Sequence, residues 1–239
     1  MNTTILTADD IRVIVNNVGI NSIMDKTIES LEQAFKQLNT DQFNIPKRTG
    51  FEYEDPITGL VEWMPAMANG NDITLKVVGY HPENPATFQL PSVLSSSFQF
   101  CTKTGRIISL SDSTFTTALR TGAASAIASK ILASENSTTI GLIGCGAQAI
   151  SQLHAISRGF PLTKVLLFDT DEQVVRDFSN RVKRLNLSHM SYIEVSLNEL
   201  VALSDIICTT TSVEVGKGPV FNDGKMKDWL HINAVGSDF

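Results

Sequence analysis

The sequence lacks several features that mark specialised classes of protein. It has only three cysteines, and their wide spacing gives neither a metal-ligand pattern nor a disulfide framework. No run of about 18 uncharged apolar residues indicates a transmembrane helix, and no basic start followed by an apolar stretch indicates a signal peptide. From these absences we expect a cytoplasmic protein without a membrane partner.

Charge is also scarce. Charged residues make up 18% of the 239 residues, and the formal net charge is -6. Since a nucleic-acid-binding protein favours a basic face, this acidic balance argues against nucleic acid as a partner. The four histidines form no cluster in the sequence, and we predict no metal site. The hydrophobic content of 42% is enough for a packed core and argues against global disorder.

The first half of the chain combines two helical patterns with a series of strand patterns. A hydroxyl cap at Thr7 followed by two acids predicts one helix start, and apolar spacing predicts a second helix over residues 24–38. Strand patterns separated by short turns then predict an antiparallel or mixed sheet. They cover residues 49–53, 60–65, 73–80, 98–102 and 107–110. The stretch 81–97, with three prolines and a serine run, is predicted to be a surface loop.

The second half of the chain has a different order of predicted elements. An alanine-rich helical pattern over residues 116–133 is followed by alternating strands and helices, which is typical of a parallel sheet with helices on both faces. Five strand patterns are visible, whereas a complete doubly wound domain usually has about six. The fold class is therefore predicted to be α/β. An N-terminal α+β domain would cover residues 1–115, and a Rossmann-type parallel-sheet domain, incomplete at its C-terminus, would cover residues 116–239.

The first strand of this alternating half runs into a glycine-rich turn between Gly144 and Ala149. The turn fits the pattern G-x-G-x-x-G/A, with a predicted strand before it and a predicted helix after it. Gly144 would permit the tight turn and Gly146 would let the backbone approach a pyrophosphate, whose charge the helix N-terminus would hold. The alternative is that these glycines only form a turn.

A second signal lies at the end of the next strand pattern. Asp169 follows the turn at about the 20-residue spacing of the acid that accepts hydrogen bonds from the adenine ribose. Together the two signals predict a NAD(H) site. Asp171 adds a second acid with no arginine beside it, so a 2′-phosphate would be repelled and we expect NAD(H) to bind better than NADP(H). The alternative for Asp169 is a helix cap.

Six short segments are spread over nearly the whole chain, at residues 45–48, 62–66, 76–78, 119–125, 144–149 and 231–238. Each is short, but in order and spacing they resemble the ornithine cyclodeaminase/mu-crystallin family. The resemblance implies a substrate-binding and dimer-forming first domain, a Rossmann second domain, and a homodimer. It also implies a small amino acid, imino acid or keto acid as the substrate, bound at the cleft between the two domains.

The same resemblance implies roles for individual residues. The substrate carboxylate would be held by Arg48, Lys76 and Arg120, Asp238 would be the catalytic acid/base, and Glu62 would be a second acid of the site. The predicted cofactor-binding residues, from the turn and the family together, are Thr121, Gly144, Gly146, Ala147, Gln148, Asp169, Thr209, Thr211 and Gly236.

The residues themselves support some of these roles. Lys76 interrupts an apolar run, where a buried unpaired charge would be costly. Asp238 follows a predicted parallel strand, at the end where ligands of open sheets bind. The alternatives are an outward-facing strand lysine and an ordinary loop aspartate. Arg120 would suit either a substrate carboxylate or a cofactor phosphate.

The function predicted from these observations is a NAD-dependent enzyme of amino-acid metabolism. A cyclodeaminase-like reaction, with hydride abstraction at the alpha carbon, imine formation and loss of ammonia, is the main hypothesis. The alternatives are an amino-acid dehydrogenase or ketimine reductase of the same family, or a non-catalytic NAD-binding protein. Family members continue beyond the aspartate that matches Asp238, so we expect this chain alone to lack part of the Rossmann domain.

Overall fold

The computed structural model describes residues 2–38, 42–68, 70, 72–212 and 219–236. The chain divides into two compact units. Unit 1 comprises Met1–Gly19 and Glu32–Thr117, and unit 2 comprises Ile20–Leu31 and Ala118–Phe239. The assignment of a substrate and dimer domain to residues 1–115 and a NAD domain to residues 116–239 stays a prediction.

The first two helices are separated by a single glycine. Helix α1 (Ala8–Val18) begins at Thr7, whose hydroxyl accepts from the Asp10 N–H while the Asp10 carboxylate accepts from the Thr7 N–H, a capping box. Gly19, with φ of 87°, ends α1, and α2 (Ile20–Gln37) starts directly after it. Helix α2 therefore begins four residues before the predicted start at residue 24.

Unit 1 is built on a mixed sheet. Its described strands are β1 (Thr4–Leu6), β2 (Phe43–Asn44), β3 (Thr49–Tyr53), β4 (Gly59–Ala68), β5 (Ile73–Tyr80), β6 (Val93–Phe100) and β7 (Ile107–Asp112). The order is β1-β7-β6-β5-β4-β2, and β3 also pairs with β4. Strand β1 is parallel to β7 and the other pairs are antiparallel, so of the two predicted alternatives, an antiparallel or a mixed sheet, the sheet is mixed. A short helix, α3 (Asn84–Thr87), lies between β5 and β6.

The predicted surface loop over residues 81–97 is wrong in its last part, because β6 begins at Val93. Strand β6 pairs with both β5 and β7, so its backbone polar groups enter two ladders. The serine run therefore lies inside the sheet. Serine side chains are tolerated there because hydroxyl partners satisfy them, as between Ser95 and Thr117.

The two faces of the unit 1 sheet differ in chemistry. Residues directly opposite one another on paired strands share a face, and successive residues alternate between faces. The "polar face" carries Glu62, Met64, Lys76, Val78, Ser95, Ser97 and Ser111. The "apolar face" carries Phe51, Val61, Trp63, Leu75, Val77, Leu94, Phe98 and Leu110. An edge contact of 5.4 Å between the ring centroids of Phe51 and Trp63 agrees with this assignment.

Unit 2 contains a five-stranded parallel sheet within the described residues. Its strands are β8 (Thr139–Ile143), β9 (Lys164–Phe168), β10 (Ser191–Glu194), β11 (Ile206–Thr209) and β12 (His231–Ala234), in the order β10-β9-β8-β11-β12. The helices are α4 (Thr114–Leu132), whose residues from Ala118 onward belong to unit 2, α5 (Ala147–Ser157), α6 (Glu172–Arg181) and α7 (Leu197–Leu203), with a short 3₁₀ helix at Lys183–Leu185. This arrangement confirms the predicted Rossmann-type α/β fold.

The core of unit 2 surrounds this sheet. All five residues of β8 are buried, as expected for a central strand with both faces covered. One buried cluster consists of Ile143, Leu166, Leu200, Val201 and Ile207. No helix in the described residues is long and apolar enough to cross a membrane.

The start of α2 belongs to unit 2 through contacts with α5. The His154 ring Nε2 lies 2.8 Å from Asn21 Oδ1, and the Arg158 guanidinium forms two hydrogen bonds with the Asp25 carboxylate. Helix α4 approaches α5 closely at Gly122, where an added Cβ would overlap the Ser151 carbonyl oxygen. Glycine is therefore required at this crossing.

Candidate functional site

The glycine turn of unit 2 joins β8 to α5, as predicted. Gly144 has φ of 86°, a conformation that side chains other than glycine rarely adopt. An added Cβ there would lie 2.9 Å from the Thr210 carbonyl group, so the neighbouring chain also excludes a side chain. The Thr210 hydroxyl donates to the Gly144 carbonyl oxygen at 2.6 Å. The turn is thus held by the segment that follows β11.

The surface above Gly146 is open. An added Cβ at Gly146 meets nothing within 4 Å, and Gly146 is the N-cap of α5 without a side chain that could occupy the first helical turn. Ala147 and Gln148 follow as the first residues of α5. Backbone N–H groups at such a helix start attract anions, so this surface can accept a phosphate group.

Asp169 lies against the same turn. One carboxylate oxygen accepts from the Cys145 N–H at 2.6 Å, and the other accepts from the Asp171 N–H at 3.0 Å. The structure therefore brings together the two signals on which the dinucleotide hypothesis depends. A carboxylate oxygen has further lone pairs, so Asp169 can still accept from ligand hydroxyl groups.

Arg181, in the last turn of α6, is a residue of this site that sequence reasoning missed. Its guanidinium donates to the Cys145 carbonyl oxygen at 2.7 Å. The Cys145 residue is thus held through its N–H by Asp169 and through its C=O by Arg181. A basic residue near a helix C-terminus is common for electrostatic reasons, so the sequence offered no specific signal for this contact.

The Cys145 side chain is not a nucleophile in this arrangement. The thiol is buried, and desolvation together with the charge of Asp169 raises its pKa to about 12. A thiol with such a pKa stays protonated near neutral pH and is inert. Cys145 therefore serves as a small side chain that fills the turn.

The carboxyl ends of β11 and β12 reach the same edge of the sheet. Thr209 ends β11, and its carbonyl oxygen accepts from the Gly236 N–H at 2.9 Å. An added Cβ at Gly236 would lie 3.0 Å from the Thr211 carbonyl oxygen. Three predicted cofactor residues thus meet beside the glycine turn, while Asp238 lies outside the described residues.

The remaining predicted residues of unit 2 lie on α4. Arg120 is exposed, and Thr121 follows it. Their assignments to the substrate carboxylate and to the cofactor stay predictions.

Two of the predicted site residues, Arg48 and Glu62, come together in unit 1. Arg48 precedes β3 and its Nε lies 3.5 Å from a carboxylate oxygen of Glu62. The Glu62 side chain is 16% exposed and that of Arg48 is 51% exposed, so the acid is the more deeply placed partner. Lys76 shares the polar face with Glu62. An added Cβ at Gly50, opposite Glu62, would lie 2.9 Å from the Glu62 side chain, so Gly50 leaves space for this acid.

Serine hydroxyls adjoin these residues on the polar face. The Ser95 and Thr117 hydroxyl oxygens are 2.8 Å apart, and the Ser113 hydroxyl donates to the Ser97 hydroxyl oxygen at 2.6 Å. Sequence reasoning missed them because a serine run next to prolines is typical of a loop. The alternation of Ser95 and Ser97 about Ser96 is the signal that could have placed them on one face of a strand.

A sequence model of the ornithine cyclodeaminase/mu-crystallin family matches residues 9–239. The chain belongs to this family. The resemblance inferred from six short segments is therefore confirmed, and it holds over nearly the whole chain.

Individual family members are similar along the whole length of this chain. An L-lysine cyclodeaminase of Streptomyces rapamycinicus is 37% identical over 240 residues, covering 100% of this chain and 69% of that protein. A solved lysine cyclodeaminase structure, on recognition of L-lysine, L-ornithine and L-2,4-diaminobutyric acid, is 41% identical with a TM-score of 0.93, covering 99% of this chain and 68% of that one.

A third relative performs a different reaction. The structure of Thermococcus litoralis Δ1-pyrroline-2-carboxylate reductase in complex with NADH and L-proline is 33% identical, with a TM-score of 0.86. It covers 98% of this chain and 69% of that one. The family therefore includes both cyclodeaminases and reductases.

The residues of unit 2 fit a dinucleotide cofactor. A positive-φ glycine forms the turn, the surface above Gly146 is open, and Asp169 lies beside the turn where a ribose would be bound. When bound, NAD supplies a hydride acceptor, and as NADH a hydride donor. The protein supplies the binding surface and the acids and bases.

Proposed function

We propose that this protein is a NAD-dependent enzyme that acts on the C–N bond of a small amino acid or imino acid. The observation that carries the proposal is the glycine turn of unit 2, which is open above Gly146 and closed at its side by Asp169. In a chain of this family, such a turn supports NAD(H) as the cofactor. The acids Asp169 and Asp171 beside it support NAD(H) over NADP(H), and a titration of both cofactors tests this preference.

The substrate carboxylate is bound by Arg48 and Lys76 in this proposal, with Arg120 as a third basic residue. Arg48 presents a guanidinium that can grip a carboxylate with two parallel hydrogen bonds. Arg48 lies 3.5 Å from a carboxylate oxygen of Glu62, which supports a role for this acid beside the bound substrate. Glu62 would then orient the substrate amine or a water molecule, because an ammonium group and a carboxylate attract one another.

The proton transfers are assigned to Asp238. Hydride abstraction requires the alpha amine to be unprotonated, and attack on the resulting imine requires proton transfer at nitrogen. Asp238→Asn removes the base and keeps the size, so turnover should fall by about 10²–10⁴-fold while NAD still binds. Near-normal turnover of this variant would show that another group is the acid/base.

The reaction is proposed to be a cyclodeaminase-type conversion of a diamino acid. The similarity to lysine cyclodeaminases supports this choice, and the similarity to a pyrroline-carboxylate reductase supports net reduction or dehydrogenation as the second candidate. The two candidate reactions differ in whether they consume NAD(H). A cyclodeaminase releases ammonia at constant NADH absorbance, whereas a dehydrogenase or reductase changes the absorbance stoichiometrically. Retention of NAD without either signal would support a binding protein.

A second copy of this chain is the proposed protein partner. The apolar face of unit 1 leaves Phe51 68% and Leu94 37% exposed, and Ile5 at the edge of the sheet is 64% exposed. An exposed apolar surface of this kind marks an association site. We therefore propose a cytoplasmic homodimer formed by unit 1. Light scattering tests the dimer, and Phe51→Glu should shift the mass towards that of one chain.

A further inference from the structure

Ser97 lies on the polar face of unit 1, between strands β5 and β7. In the sheet register it is directly opposite Lys76 on β5 and directly opposite Ser111 on β7. Directly opposite residues in an antiparallel pair have Cβ atoms about 4.5–5.5 Å apart and point to the same side of the sheet. Ser97 is therefore an immediate neighbour of a residue proposed to bind the substrate carboxylate.

The hydrogen bond from Ser113 determines the direction in which the Ser97 hydroxyl can donate. The Ser113 hydroxyl donates to the Ser97 oxygen at 2.6 Å, and Ser113 is only 3% exposed. A hydroxyl has one proton and two acceptor sites, so the Ser97 proton is directed away from Ser113. Ser97 itself is half-buried, which leaves part of its side chain accessible to a ligand. A hydroxyl donor and a lysine on directly opposite positions of one sheet face are residue types that recognise an anion.

Ser95 differs from Ser97, although both lie on the same face. Ser95 is 6% exposed, and its hydroxyl is paired with the Thr117 hydroxyl at 2.8 Å. It is opposite Val78 rather than a cation. Its contacts account for a structural role in joining β6 to the start of α4.

We propose that Ser97 is a further substrate-binding residue, which donates a hydrogen bond to the substrate carboxylate beside Lys76. The inference rests on the proposed function, because the carboxylate is that of the amino or imino acid acted on there. Ser113 orients the Ser97 hydroxyl, so the donor is in place before the substrate binds. Preorganisation of this kind reduces the entropy lost on binding.

The test compares Ser97→Ala with Ser96→Ala in the full-length protein saturated with NADH. Ser96 is the adjacent serine, but it lies on the opposite side of the sheet, opposite Val77 and Asp112. L-Lysine, L-proline and their primary amides serve as calorimetric probes. Loss of a hydrogen bond to a charged group should weaken binding of the acids by about 10- to 100-fold in Ser97→Ala and leave Ser96→Ala unchanged.

Two further results distinguish substrate binding from a structural role. The amides lack the carboxylate charge, so Ser97→Ala should weaken them much less than the acids. Ser97→Thr keeps the hydroxyl and should restore most of the affinity for the acids. In turnover assays, the KM should rise in Ser97→Ala while kcat changes by less than about threefold.

Equal affinities in Ser97→Ala and Ser96→Ala, or an equal loss for acids and amides, would overturn the assignment of Ser97. Failure of the unsubstituted protein to bind any of the acids would overturn both this inference and the proposed substrate class. Binding of an acid without turnover would overturn only the proposed enzyme, and the effect of Ser97→Ala on binding would still decide the role of Ser97.

Discussion

The two units of this protein differ in which kinds of residue they bury. Every buried apolar residue found in the described part of the chain, from Met24 to Cys208, belongs to unit 2. The buried residues of unit 1 in that part are polar or glycine, among them Ser95, Ser113 and Thr117. Unit 2 therefore has a core of its own, whereas the sheet of unit 1 keeps both faces partly accessible.

The sheet type explains this difference. A parallel sheet is formed through crossover helices, which cover both of its faces with apolar surface. The antiparallel strands of unit 1 need no crossover helices, so its faces can serve other purposes. The proposed substrate site uses the polar face, and the proposed homodimer uses the apolar face.

The largest expected effect comes from truncating one apolar residue in each unit. Leu166 is 1% exposed, so Leu166→Ala should lower the free energy of unfolding by about 2–5 kcal/mol at any protein concentration. Phe51→Ala should lower the free energy of unfolding only slightly at low protein concentration and more at high protein concentration, because Phe51 would be covered only in the dimer. Denaturant titrations at two protein concentrations measure both. An equal, concentration-independent loss in both variants would contradict the comparison.

The core of unit 2 should also make the protein sensitive to moderate acid through His154. The residue is 2% exposed, and burial, followed by the charge of Arg158, lowers the pKa of His154 to about 4. In the unfolded chain His154 takes up a proton near pH 6.5, whereas in the folded protein it does so only near pH 4. The contribution of neutral His154 to the free energy of unfolding is therefore fully present above pH 6.5 and declines as the pH falls towards 4. The total loss should be about 3 kcal/mol.

The measurement is the free energy of unfolding across this pH range for the unsubstituted protein and for His154→Gln. The variant lacks the titrating ring, so its stability should change less between pH 6.5 and pH 4. Identical slopes in the two proteins would show that His154 does not control this acid sensitivity.

A smaller effect is expected where unit 2 holds its glycine turn. Arg181→Met removes the hydrogen bond to the Cys145 carbonyl oxygen and should weaken NADH binding by about tenfold, as for a bond to a charged group. Arg176→Met is the matched control, because Arg176 lies on the same helix and contacts Glu172 instead. NADH fluorescence titration gives both affinities. If the two variants bind NADH equally well, Arg181 does not position the turn.

The smallest effect is expected from a buried polar side chain in the core of unit 2. Gln152 is fully buried, and neither polar atom of its side chain has a hydrogen-bond partner among the described residues. Replacing a buried unsatisfied polar group with an apolar group of similar shape is nearly neutral or stabilising. Gln152→Leu should therefore change the free energy of unfolding by less than about 1 kcal/mol or raise it. A loss of about 2 kcal/mol or more would indicate a polar partner for this amide.

Local patterns in the sequence determined much of the architecture. The capping box at Thr7, the strands β3 and β5, and the strand, turn and helix around Gly144 follow from residues that are close in sequence. The predicted Rossmann-type sheet and the family resemblance were recognisable for the same reason. Alternation and glycine placement reflect backbone constraints that act over a few residues, so they can be recognised without the fold.

Contacts between distant segments were decided only by the tertiary structure. Nothing near Arg181 in the sequence indicates that its guanidinium reaches Cys145, and nothing near Asn21 indicates its contact with His154. The serine run became a strand because β5 and β7 lie on either side of it. Strand pairing and side-chain hydrogen bonds depend on partners brought together by folding, so the composition of the segment itself does not specify them.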